Sequence, residues 1–242
     1  DEESFVEIFR HDLQRATTTA SAKRHPRSLR KLPPLTLDEI TTYLSTWITQ
    51  LHDHLSHYKE EKADGIWNAY HNLTVHTLYQ WDQEEYLPRM PPRRRDGSIF
   101  LSVASYRDEN CVATITQAYE KAANPTQLFV GLVQQKCNSD CHTGIMDNGK
   151  SGRQPTPDPD CYALVCADHS ATKPHCHAGR IRVLHVEEPE SLGPYMARYF
   201  ASKLWYGEEW FMQVDAHMTF YQNWDAISIQ GLTKAPSKKP VR

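Results

Sequence analysis

A chain of 242 residues with 39% hydrophobic side chains can bury the core of one domain plus an appendage. A net charge of −3 gives no global attraction to nucleic acid or anionic lipid, and no apolar run approaches the roughly 18–20 residues that span a bilayer. Residues 1–20 are mixed and acidic at the start, unlike a secretory signal; the first residue is Asp1 rather than Met, so an upstream anchor or signal stays open.

Residues 1–35 read as a disordered lead. Thr17 to Arg27 is polar, small and basic without any period, which describes a solvated linker better than a nucleic-acid contact. Residues 36–95 read as a helical hairpin and linker. Thr36-Leu37-Asp38-Glu39 has the form of a capping box, Thr36 as N-cap with Glu39 reaching back. Leu37, Ile40, Leu44, Trp47, Leu51, Leu55 and Tyr58 then recur at three- and four-residue steps, one face of an amphipathic helix. After Asp64-Gly65, a second helix is expected from Ile66 to Trp81. The histidines here (His52, His54, His57, His71, His76) lack the Glu-x-x-His pairing of a di-metal bundle. The sequon Asn72-Leu73-Thr74 falls on the expected helix rather than an exposed loop, which counts against its use. Pro91 to Gly97 reads as the linker.

From Ser98 the pattern alternates. Strands are expected at Ile99–Val103, Leu128–Val133, Ile181–Val186 and Glu209–Val214, with helices at Asn110–Ala123 and Pro194–Leu204. Strand, helix and strand with short connections make a right-handed parallel unit. Residues 134–180, rich in Pro, Gly, Asp and Cys, are expected to form a long irregular insertion. Cys111 lies in the first of these helices, and Cys137, Cys141, Cys161, Cys166 and Cys176 fall in or beside the insertion. Disulfides or buried thiols fit this arrangement better than zinc, whose tight C-x2-C pairs are absent.

The last of these strands runs straight into Asp215-Ala216-His217. A strand's C-terminal end is where ligands bind in open α/β sheets, and a carboxylate with an imidazole suits Mn²⁺ or a similar ion. A turn Asp beside a surface His is the plainer reading of the triplet alone. Its surroundings are Gly193-Pro194-Tyr195-Met196-Ala197-Arg198, Leu204-Trp205-Tyr206-Gly207-Glu208-Glu209, Gln213 to Phe220 and Asn223-Trp224-Asp225, with Phe100 to Glu109 and Phe129 to Gln135 upstream. Over residues 97–235 this ordered set resembles the polypeptide α-N-acetylglucosaminyltransferases, which add GlcNAc to hydroxyproline and are related to the mucin-type GalNAc-transferases.

The resemblance implies the nucleotide-binding half of a GT-A glycosyltransferase (a Rossmann-like α/β fold) over residues 96–242, truncated at its C-terminus because the family's catalytic domain extends further. It implies a divalent-metal dependent, retaining enzyme that moves GlcNAc from UDP-GlcNAc to a protein hydroxyl of hydroxyproline, serine or threonine. Asp215 and His217 would hold Mn²⁺ or Mg²⁺. Ser105, Tyr106, Arg107 and Asp108 would meet uridine, with Asp108 read equally well as the N-cap of the following helix. Arg198 would meet the diphosphate, since a guanidinium reads such oxygens bidentately. Trp224 and Asp225 read as structural, Trp packing and Asp capping. No catalytic nucleophile is assignable. The expected partners are a nucleotide sugar and a protein acceptor, with no nucleic acid and no membrane segment. The resemblance points to the cytoplasm, with the Golgi lumen open if an anchor precedes Asp1. The alternative is a non-catalytic nucleotide-sugar-binding or protein-interaction module.

Overall fold

The architecture is that of a computed structural model, which describes residues 32–56, 71, 81, 86–139, 141–145, 151–154, 157–167 and 170–236. Residues 34–242 form one compact unit, and the description concerns that unit. Helix α1 spans Leu37–Ser56. Its capping box forms as the sequence predicts: the Glu39 amide donates to Thr36 Oγ1 at 3.1 Å, and the Thr36 amide donates to Glu39 Oε2 at 2.7 Å. Ile40, Leu44, Trp47, Ile48 and Leu51 are all buried. At about 2 kcal/mol for each large apolar side chain, this stripe anchors the helix firmly. Of the expected second helix only His71 and Trp81 are described, Trp81 buried and stacked on Tyr43; the sequon lies outside the described residues.

Strand β1 (Ile99–Tyr106), helix α2 (Cys111–Glu120) and strand β2 (Leu128–Lys136) give the first crossover unit. The insertion follows with a short hairpin, β3 (Cys141–Ile145) and β4 (Ser151–Gln154), and two short helices, α3 (Cys161–Ala167) and α4 (Lys173–His177). Strand β5 (Ile181–Glu187), helix α5 (Gly193–Ser202), strand β6 (Trp210–Asp215) and helix α6 (Trp224–Thr233) complete the chain order. The main sheet runs β5-β2-β1-β6, with every neighbouring pair parallel. This is a Rossmann-like, mixed α/β arrangement, as expected.

Apolar residues on both faces of β1 and β2 are buried, the pattern of a parallel sheet covered on two sides. Phe100, Val133 and Leu184 pack with α1 and α5 on one face. Leu101, Val103, Val130 and Leu132 pack with α2, α3 and Trp224 on the other. Gly131 is required by that packing, because a Cβ there would lie 2.3 Å from the Phe100 ring.

The segment expected as a linker, Pro91 to Gly97, is bonded to the core. The Arg94 amide donates to the Gly207 carbonyl at 2.7 Å, and its guanidinium meets Glu208 at 2.6 Å. Arg182 meets the same Glu208 oxygen at 2.6 Å, and the Tyr206 amide donates to the other oxygen at 2.7 Å. Glu208 is wholly buried, so two guanidinium groups and an amide compensate a charge that would otherwise be very costly.

Residues 134–180 correct the sequence expectation of an irregular loop, since the insertion carries a hairpin and two helices, while the expected disulfides form. Cys111 pairs with Cys161, Cys137 with Cys141 and Cys166 with Cys176. All six cysteines are consumed in this way, so a zinc site built on them is excluded. Among the described residues no helix is long and apolar enough to cross a membrane.

Candidate functional site

Parallel strands deliver their C-terminal ends to one edge. Tyr106 of β1 stands beside Gln135 of β2, and Asp215 of β6 beside Ala104 of β1. Gly193, with φ +82, lets the chain turn from β5 into α5, and a Cβ there would meet open space, so its backbone angle is what requires glycine. These ends enclose a cleft of about 760 Å³ whose polar walls come from Tyr106, Asp108, Gln135, Glu188, Arg198, Asp215 and His217.

Two side-chain pairs dominate it. Arg198, one turn into α5, donates from Nη2 to Asp215 Oδ1 at 2.7 Å. His217 Nδ1 lies 2.7 Å from Asp108 Oδ2, and Asp108 Oδ1 accepts the Asn110 amide at 2.8 Å. The hydrogen bond to Asp108 raises the His217 pKa, and the charges of Asp108 and Asp215 add to this. Burial pushes the Asp108 carboxyl upward, but the His217 bond and the Asn110 amide outweigh it, so its pKa is lowered. The exposed Tyr106 ring keeps its hydroxyl 3.1 Å from Glu188 Oε1. Burial, then that carboxylate, raises the phenol pKa.

The predicted residues divide. Tyr106, Asp108, Arg198, Asp215 and His217 line the cleft, whereas Ser105 and Arg107 are not on its walls. Ser105 is buried at the end of β1. Arg107, in the left-handed region at φ 49, turns away to Asp158, with Nε and Nη2 at 2.7 and 3.2 Å from the carboxylate. Asp158 also accepts the Cys137 amide at 2.8 Å, so Arg107 holds the insertion to the β1 end. Asp108 is not the N-cap itself, a position held by Asn110; its carboxylate bonds the Asn110 amide instead. Trp224 is buried with its indole N–H donating to the Ala118 carbonyl at 2.8 Å. Asp225 accepts the Ala123 and Asn124 amides at 2.7 and 2.9 Å, fixing the turn between α2 and β2.

Gln135, Glu188 and Ser191 line the cleft and were missed from sequence. Gln135 is 4% exposed and faces the cleft, while its neighbour Gln134 faces the other way and accepts the Tyr162 amide at 3.0 Å. Two amides closing an apolar run were the available signal: alternation sends one to the core and the other to the strand-end pocket.

Residues 98–241 match the family model described as Glycosyltransferase (GlcNAc). The chain belongs to the GlcNAc glycosyltransferase family. Neither the curated proteins nor the solved structures compared gave a significant match. The family region starts at Ser98, so it contains β1 through α6 and every wall of the cleft.

Among the described residues no three His, Cys, Asp or Glu side chains gather into a group able to hold an ion. Asp215 and His217 together offer a hard oxygen and a neutral nitrogen, a donor set that fits Mn²⁺ or Mg²⁺ only when a ligand's oxygens and water fill the remaining positions. In this GlcNAc glycosyltransferase cleft the two side chains alone do not complete a cation site.

Proposed function

We propose that the cleft binds UDP-GlcNAc with a divalent cation and that the protein transfers GlcNAc, with retention at the anomeric carbon, to a protein hydroxyl of hydroxyproline, serine or threonine. The observation that carries this reading is the meeting of Arg198, Asp215, His217 and Asp108 in one cleft at the carboxyl edge of a parallel sheet, inside a GlcNAc-transferase family region. In the transfer, the bond from the sugar's C1 to the β-phosphate oxygen breaks. A bond from C1 to the acceptor oxygen forms, UDP departs as the leaving group, and the acceptor hydroxyl's proton leaves with the UDP phosphate or to water.

The chain's own residues have distinct tasks in this proposal. Arg198 exchanges part of its bond with Asp215 for phosphate oxygens, which a guanidinium fork suits. Asp215 and His217 would hold Mn²⁺ or Mg²⁺, which supplies charge neutralisation for the diphosphate when bound. The Tyr106 ring, half exposed, offers a stacking face for the base. Gln135 offers an amide whose donor and acceptor complement a uracil edge. Ser105 and Arg107 support the site from behind rather than touching the donor.

Three disulfides support folding in an oxidising compartment, because such bonds are rare in the cytosol. The acceptor would then be a protein of a secretory lumen or the cell exterior, rather than a cytoplasmic one.

The test is release of UDP from UDP-GlcNAc without acceptor, with and without Mn²⁺, in wild type and Arg198→Ala. Slow, Mn²⁺-stimulated release that Arg198→Ala abolishes supports the transferase. Binding of UDP-GlcNAc with no release favours the second reading, a non-catalytic nucleotide-sugar-binding module, which the lack of an assignable nucleophile keeps open.

A further inference from the structure

Asp108 occupies the turn after β1, where a carboxylate facing the cleft could meet a ribose or a base. Its oxygens are directed otherwise. Oδ1 accepts the Asn110 amide at 2.8 Å, and Oδ2 is 2.7 Å from His217 Nδ1. The carboxylate is only 18% exposed, while the His217 side chain is 63% exposed. An imidazole so exposed gains little orientation from packing, so the bond to Asp108 is what fixes its ring. The anchor is held in place: it stands just before Cys111, which α3 holds through the Cys161 disulfide, and its own oxygen accepts the amide of the N-cap residue Asn110.

A carboxylate that accepts from Nδ1 keeps the proton on that nitrogen and leaves the lone pair on Nε2. Metal-binding histidines are commonly oriented in this manner, with the non-ligating N–H donating to a carboxylate. We propose that Asp108 is a positioning residue that holds His217 as the Nδ1–H tautomer and presents Nε2 to the cation, and that it does not bind the nucleotide. This rests on the donor-site reading above and assigns Asp108 a task different from the uridine contact expected from sequence.

The measurement uses the full chain, with wild type, Asp108→Asn and Asp108→Glu. An asparagine keeps the size of the side chain and can still accept the Asn110 amide, but its NH₂ group would donate to Nδ1 and force the proton onto Nε2. Long-range ¹H–¹⁵N spectra of the histidine ring, assigned with His217→Gln and recorded with the imidazole neutral, read the tautomer directly. Calorimetry with MnCl₂ and UDP reads the consequence. Wild type should show Nδ1–H, and Asp108→Asn should show Nε2–H. Mn²⁺-dependent UDP binding should weaken by about tenfold to a hundredfold in the asparagine variant, with UDP binding in chelator unchanged and partial recovery in Asp108→Glu. An Nε2–H tautomer in wild type, unchanged Mn²⁺-dependent affinity in Asp108→Asn, or an equal loss of metal-free UDP binding each overturns the proposal. The last of these would return Asp108 to the nucleotide. Wild-type protein that shows Nδ1–H but no Mn²⁺-dependent UDP binding overturns the donor-site reading and the ligand role with it. The orienting bond alone would survive.

Discussion

Removing the Cys111–Cys161 bridge tests how the insertion supports the fold. The two cysteines are 50 residues apart and buried, joining the first turn of α2 to the first turn of α3. In the chain-entropy description, a cross-link closing a loop of that length restricts the unfolded state by about 4 kcal/mol at 25 °C. The Cys137–Cys141 bridge lies inside this loop and shortens it only slightly, because it spans 4 residues. Replacing both partners by alanine avoids stranding a buried hydroxyl, so the loss should come mainly from the released loop. Guanidinium unfolding of Cys111→Ala/Cys161→Ala should give a free energy lower by about 4 kcal/mol, with a steeper denaturant dependence as the unfolded chain expands. Thiol titration of denatured wild type should find no reactive cysteine. A loss below about 1 kcal/mol, or two reactive thiols traced to Cys111 and Cys161, would refute the role given to this bridge.

Three other outcomes follow from the packing and charges. Glu208→Gln should lower unfolding free energy by about 3–5 kcal/mol, because the buried Arg182 would be left with an uncompensated charge; thermal denaturation measures it. Asp225→Ala should cost about 1–3 kcal/mol by stranding the Ala123 and Asn124 amides, with hydrogen exchange rising first in the α2–β2 turn. At Asp160, burial raises the pKa, but Lys136 and the Ala163 amide lower it further. At Asp96, burial is likewise outweighed by Ser98 and Arg94. Both folded pKa values lie below the unfolded value near about 3.9. Their contribution is therefore complete above that pH and lost as pH falls through the folded values, so acid titration by circular dichroism should show stability dropping below about pH 4.

The sheet was legible because its strands are apolar runs, those of β1 and β2 buried on both faces. Their starts at Ile99, Leu128 and Ile181 coincide with expectation. Their ends do not: β1 continues through Ala104, Ser105 and Tyr106, and β2 through Gln134, Gln135 and Lys136, because polar side chains interrupt the apolar pattern where strands approach the cleft. Two of the residues that blur the strand ends, Tyr106 and Gln135, line the cleft. Arg107 shows a second limit. The resemblance implied a uridine contact for it, yet it bonds Asp158, 51 positions away in an insertion whose path no periodicity reveals. The cysteine pairing was hidden for the same reason, since six cysteines permit fifteen connectivities and spacing selects none.

The central claim is a cation-dependent nucleotide site at the end of β6. Calorimetric titration of UDP with and without Mn²⁺, on wild type and Asp215→Ala, tests it most directly. Mn²⁺ should tighten UDP binding to wild type by about tenfold or more, a difference of about 1.4 kcal/mol or greater. Asp215→Ala should lose that dependence while unfolding much like wild type, since the side chain sits half exposed at a strand end. Equal UDP affinity in all four titrations would contradict the account.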